Sequence, residues 1–139
     1  MDVIVLIGRI LFAAIFLGSG VAHLTQTRSM AEYAGAKGVP SPSAAVAGSG
    51  VLILVGGLMV LLGIWADLGA LFVIAFLVPT ALVMHRFWSV TDAMARQLEM
   101  TQFMKNMSIA GGALIAFAFF AYAGNDLGLT LTGPLFSLR

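Results

Sequence analysis

The polarity pattern divides the chain into four long apolar runs separated by polar stretches. The first runs from Val3 to Leu24 and is interrupted only by Arg9; the second lies within an uncharged stretch, from Ser43 to Ile64. The third runs from Leu68 to His85 and the fourth from Asn106 to Tyr122. A helix crosses a bilayer with about 20 predominantly apolar residues. The third run is short, about 26 Å at 1.5 Å per residue, and crosses with its flanks near the headgroups. The pattern predicts an all-α membrane protein: one domain, 1–139, folded as a four-transmembrane-helix antiparallel bundle.

The connections add detail. Residues 25–42 read as a polar loop ending in GVPSPS. There Pro40 and Pro42 block helical extension, and Ser41 or Ser43 offers an N-cap oxygen. Only a few residues around Trp65 and Asp67 join the second and third spans, so these form a tight hairpin. Residues 89–105 are polar enough to leave the hydrocarbon. Within them Leu98, Met100, Met104 and Met107 interleave with Arg96, Glu99, Gln102 and Lys105, which predicts a short interfacial helix before the fourth span. After Gly124 the alternation of Leu127, Leu129 and Leu131, with Pro134 beyond, predicts an extended tail. Small residues recur at helical spacing in the sets Ala14–Gly18–Ala22 and Ser108–Gly112–Ala116, and in the pairs Gly50–Gly57 and Gly56–Gly63. In lipid such positions are expected to mark helix contacts.

Composition strengthens the membrane reading. Hydrophobic residues make up 60% and charged residues 9% of the chain, with a mean hydropathy of +1.04, whereas a soluble domain carries about 25% charged residues. The first run lacks a basic leader region and a small-residue cleavage site, so it reads as a retained span rather than a signal peptide. The net charge of +1, without a basic patch, argues against a nucleic-acid partner. Cysteine is absent. Thiol relays, iron–sulfur clusters and cysteine zinc sites are therefore excluded within this chain, and redox chemistry would need a bound cofactor or another subunit.

Antiparallel topology gathers His23, His85, Arg86, Trp88, Lys105 and Asn106 at one end of the bundle, with Tyr33 and Lys37 in the adjoining loop. The other end has Asp2, Trp65, Asp67, Asp126 and Arg139. Five Lys or Arg residues, at 28, 37, 86, 96 and 105, belong to the first end, so the positive-inside rule predicts loops 25–42 and 86–105 in the cytoplasm and both termini outside. Arg9 is the costliest residue, since a charge inside a span must snorkel or find a partner. It either reaches the near interface or turns inward toward a carbonyl, carboxylate or quinone oxygen; Arg9, Phe16, Gly20 and His23 lie near one helix face. His23 and His85 read as interfacial residues, as ligand-binding or proton-carrying groups, or as metal or haem ligands. Two histidines alone fall short of a zinc site, and Glu32, Asp92 or Glu99 would have to fold inward to add a third ligand. Pro79 removes the hydrogen bond to the Ala75 carbonyl, and the helix is expected to bend just below His85, where a cavity would fit.

The segments GRILFAAIFLGSGVAHL, YAGAKGVPSP, GGLMVLLGI, LVPTALVMHRFW, QFMKNMSIAGG and TGPLFSL, in this order and spacing, resemble the DoxX family over essentially the whole chain. The resemblance implies a four-helix protein of the bacterial inner membrane. In the family's namesake this is a subunit of a thiosulfate:quinone oxidoreductase, while the wider superfamily includes non-enzymatic receptors and chaperones. Arg9 falls at the family's arginine in the first helix and His23 at a position often Lys or His. His85, Phe87 and Trp88 match an H-x-F/Y-W pattern; Phe103, Lys105 and Asn106 match F-x-K-N. Where many members have a glutamate before the paired glycines, this chain has Ile53. Two functions follow as expectations. One is a membrane subunit of a quinone-linked oxidoreductase, with quinone held non-covalently by Arg9, His23 and His85 and electrons supplied by a partner redox protein. The other is a non-catalytic lipid-binding or scaffolding protein, with Arg86 and Lys105 on phosphate. A solute transporter would call for inverted repeats, and the two halves lack self-similarity.

Overall fold

The computed structural model describes residues 1–138; Arg139, counted above at the second end, lies outside the described residues. The spans are α1 (Asp2–Thr25), α3 (Pro42–Leu62), α4 (Ala66–Met84) and α5 (Ala93–Ala123), with a short helix α2 (Thr27–Ala36) between the first two. All four spans are long and apolar enough to cross a membrane. Their outward faces are apolar too: Leu11 is 72% and Ile115 73% exposed, which only a lipid surround accommodates.

α3 is the central helix, packed against α1 on one side and α4 on the other, and α4 in turn packs on α5. Glycines on two faces of α3 allow this. A Cβ at Gly50 would stand 2.6 Å from the His23 Cβ, and one at Gly56 3.0 Å from the Gly69 carbonyl oxygen. At Gly57 the neighbours are Phe16 and Leu17, at 3.2 Å. Phe16, Ile53, Val73, Leu77, Ala110 and Ala113 then close the core from all four spans. Ile53 is fully buried among these apolar groups. The sets Ala14–Gly18–Ala22 and Ser108–Gly112–Ala116 behave otherwise: Ala14, Gly18, Ser108 and Gly112 are exposed, and a Cβ at Gly18 or Gly112 would meet nothing within 4 Å. The inward faces of these helices are instead Arg9–Ala13–Phe16–Gly20–His23 and Asn106–Ala110–Ala113. Phe16, with Phe12 beside it, packs there against the small Ala110 and Ala113 of α5.

Two connections differ from expectation. Residues 25–42 contain a helix, because Ala31 and Ala34 of α2 bury a small apolar face with Val46 of α3. Ser41 adopts a left-handed conformation, φ 47°, and makes no side-chain cap. The amphipathic stretch before the fourth span is helical, as expected, and runs into that span without a break. No proline or glycine lies between Ala93 and Ala110, so the 31 residues of α5 form one helix of about 46 Å. That exceeds the roughly 30 Å hydrocarbon core, and the first turns project beyond it.

Arg9 resolves into its inward alternative. It is 4% exposed and donates to the carbonyls of Val60 (2.8 Å), Leu61 (2.6 Å) and Leu129 (2.7 Å). The first two are carbonyls that the end of α3 leaves without helical partners, where a cation also meets the negative end of the helix dipole. The third belongs to the tail, which is irregular. Its Leu131 and Thr132 amides donate to Gly63 O at 3.1 and 3.0 Å. The Leu135 and Phe136 amides donate to the fully buried Asp67 carboxylate at 3.1 and 2.7 Å. Arg9 and Asp67 thus lock the tail across the α3–α4 end of the bundle.

Arg9→Leu removes the donor from three carbonyls, and an unpaired buried acceptor costs about 1–3 kcal/mol. Thermal unfolding in detergent is expected to show a loss of about 3 kcal/mol or more, with Arg9→Lys recovering only part because an ammonium lacks the planar fork. An unchanged melt for Arg9→Leu contradicts the clamp.

Candidate functional site

At the other end a cavity of about 550 Å³ lies among the end of α1, helix α2, the start of α3 and the end of α4. Its walls are mainly apolar, and His23, Ser29, Tyr33, Ser49, Thr80 and His85 bring polar atoms to it. Pro79 and Thr80 sit together in the wall one turn below His85. Such a shape, an apolar body with a few converging polar groups, is the usual form of a small-molecule site.

His23 is fixed by the α1–α3 contact, because the absent side chain of Gly50 lets its Cβ lie against the α3 backbone. Its Nδ1 meets Val46 O at 3.2 Å and Ser49 Oγ at 3.0 Å. The ring packs edge-on against Phe76 at 5.7 Å. His85 ends α4, and its Nδ1 lies 2.8 Å from Glu99 Oε2. The other Glu99 oxygen accepts from Lys37 Nζ at 2.7 Å. The Lys37 ammonium is held above its ordinary range, first by its hydrogen bond to Glu99, so it stays charged through neutral pH. It also lies 5.5 Å from the Tyr33 ring centre. Arg86 donates to Lys37 O at 2.7 Å and ties the end of α4 to the segment after α2.

The seven residues singled out from sequence separate in space. His23 and His85 line the cavity, and Arg86 braces its rim. Trp88 is exposed in a cluster with Phe87 and Phe103, 5.2 and 5.8 Å from their ring centres. That suits the interfacial aromatic belt. Lys105 is exposed on α5. Asn106 is buried on the inward face of α5, outside the cavity lining. Arg9 is at the opposite end of the bundle, bound to carbonyls, and does not share a site with the histidines. Among the described residues no three His, Asp or Glu side chains converge as a metal site.

Glu99 is the group that sequence reasoning undervalued, having placed it on the polar face of an interfacial helix and weighed it as a third metal ligand. Glu99, Phe103, Asn106, Ala110 and Ala113 follow one another at spacings of 4, 3, 4 and 3, the signature of one inward stripe. Extending the stripe of the fourth span backward points to Glu99. Helix α2 was the other missing part, and it supplies the Tyr33 wall.

Comparison with known proteins agrees with this architecture. A DoxX family model matches residues 4–86. Inner membrane protein YqjF of Escherichia coli (strain K12) is 32% identical over 96% of this chain and 86% of its own length. Inner membrane protein YphA of the same organism is 30% identical over 95% and 84%. No solved structure matches the chain.

Proposed function

The chain belongs to the DoxX family of multi-pass inner-membrane proteins, and from that premise we propose that it is the membrane subunit of a quinone-linked oxidoreductase system. The observation that carries the reading is the cavity between His23 and His85. It is large enough for a substituted ring, and it lies at the end of the spans, where a lipid-soluble ring can enter from the bilayer. Its walls are apolar, as a quinone ring and tail require. The two imidazoles and the Thr80 and Tyr33 hydroxyls can hydrogen-bond ring oxygens. Electrons would come from a partner redox protein, since this chain has no cysteine and the proposed role is to hold the quinone. The polar end, with Arg28, Lys37, Arg86, Arg96 and Lys105, faces the cytoplasm in this proposal.

Purification of the chain directly into lipid nanodiscs is expected to retain near-stoichiometric quinone, read by mass spectrometry of the extract. Thr80→Phe, which places a ring in the cavity, is expected to remove it. Phospholipid in the cavity with no quinone would replace this reading by the lipid-binding one. For orientation, a reporter active only in the cytoplasm is expected to be silent at the C-terminus and active when inserted after Gly38; the reverse pattern overturns the assignment.

A further inference from the structure

One wall of the cavity differs from the others. Most of the lining comes from the spans α1, α3 and α4, but Ser29, Met30, Tyr33 and Ala34 belong to the short helix α2. The residues that α2 buries are only Ala31 and Ala34, seated on Val46 of α3. That is little apolar surface to hold a helix of 10 residues in place. The Arg28–Glu32 pair joins α2 only to itself, on its exposed side.

The chain can turn at both ends of α2. Gln26 alone separates it from α1. Beyond Lys37, Gly38 has φ 86°, a left-handed conformation that glycine adopts without strain. The end next to Gly38 is fastened by one residue. Lys37 Nζ donates to Glu99 Oε1 of α5 at 2.7 Å, and Lys37 O accepts from Arg86, just beyond α4, at 2.7 Å. The second Glu99 oxygen lies 2.8 Å from His85 Nδ1 in the cavity wall, so the fastening and the site share one carboxylate.

We infer that α2 is a hinged lid over the cavity and that Lys37 is the latch holding it shut. This builds on the reading of the cavity as the ligand site and adds how that site opens. Lifting α2 about Gln26 gives up the packing of two alanines and the two bonds of Lys37. The four spans meanwhile stay together through the α3 glycines and the shared core. Local opening is drawn from segments of this kind, with few buried apolar contacts. An occupant that engages His85 acts on the same carboxylate as the latch, which links filling to closing.

The chain has no cysteine, so a single introduced thiol reports on the lid. Val46 is suited to it, being 6% exposed beneath Ala31 and Ala34 and yet part of the cavity lining. The test places Val46→Cys in the full chain in nanodiscs and adds a charged, water-soluble thiol reagent. Labelling is expected to be slow with the latch intact. With Lys37→Met it is expected to run about tenfold or more faster, the scale of one hydrogen bond between charged groups. Arg28→Met, which breaks only the outer ion pair, is expected to leave the rate unchanged. Val73→Cys, in the core between the spans, is expected to stay inert in the Lys37→Met background. Equal rates with and without Lys37, or acceleration at Val73 matching that at Val46, overturn the lid. Excess short-tailed quinone is expected to slow labelling at Val46. If the latch effect stands and quinone has none, the quinone reading falls while the lid over the cavity remains.

Discussion

Close approach of α3 to its two neighbours is the constraint on which the rest of this structure depends. Lipid offers no hydrophobic drive between helices, so packing must come from backbones that touch. Gly50 opposite Gly20 brings α1 to van der Waals contact, and Gly56 opposite Gly69 does the same for α4. Three consequences follow from the α1 contact alone. It lays His23 over Gly50, within reach of Val46 and Ser49, and two turns lower it leaves Phe16 and Leu17 on Gly57. At the far end it carries Arg9 to the last carbonyls of α3.

The bundle is consequently asymmetric. One end is closed by a backbone-rich network in which Arg9 and Asp67, both buried, bind carbonyls and amides of the α3 terminus and the tail. A charge held by several fixed dipoles is satisfied without a counter-ion, which is the tolerable way to bury it in a membrane. The other end is built from side chains on five different segments and leaves a cavity. Its charges, Lys37, Glu99 and Arg86, gather at the rim, where water can share them. Chemistry is therefore expected only at the cavity end.

Much of this was legible in the sequence. The four spans follow from apolar runs of bilayer length, and their alternation alone puts His23 and His85 at the same end of the bundle. What the sequence concealed has physical causes. Arg9 lies on the same helical face as His23, but 14 residues of helix is about 21 Å, too far for one site. Its partners were backbone carbonyls, which leave no mark in a sequence. Helix α2 was hidden because its buried face is only Ala31 and Ala34. Small residues predicted contacts correctly along α3, where two neighbours press on it. They failed at Gly18 and Gly112, whose faces turn to lipid. Glu99 escaped because the polar stretch was read as a separate interfacial helix, which broke the inward stripe that α5 carries through to His85.

The proposed function requires that the space between His23 and His85 hold a quinone-type ring. Photolabelling of the full chain in native lipid with an azido-quinone, followed by peptide mapping, tests it directly. Label is expected on residues of the cavity wall, such as Tyr33 and the Thr80–His85 turn, displaced by excess unlabelled quinone. Label scattered over the lipid-facing surfaces of α1 and α5, and indifferent to competitor, would contradict it.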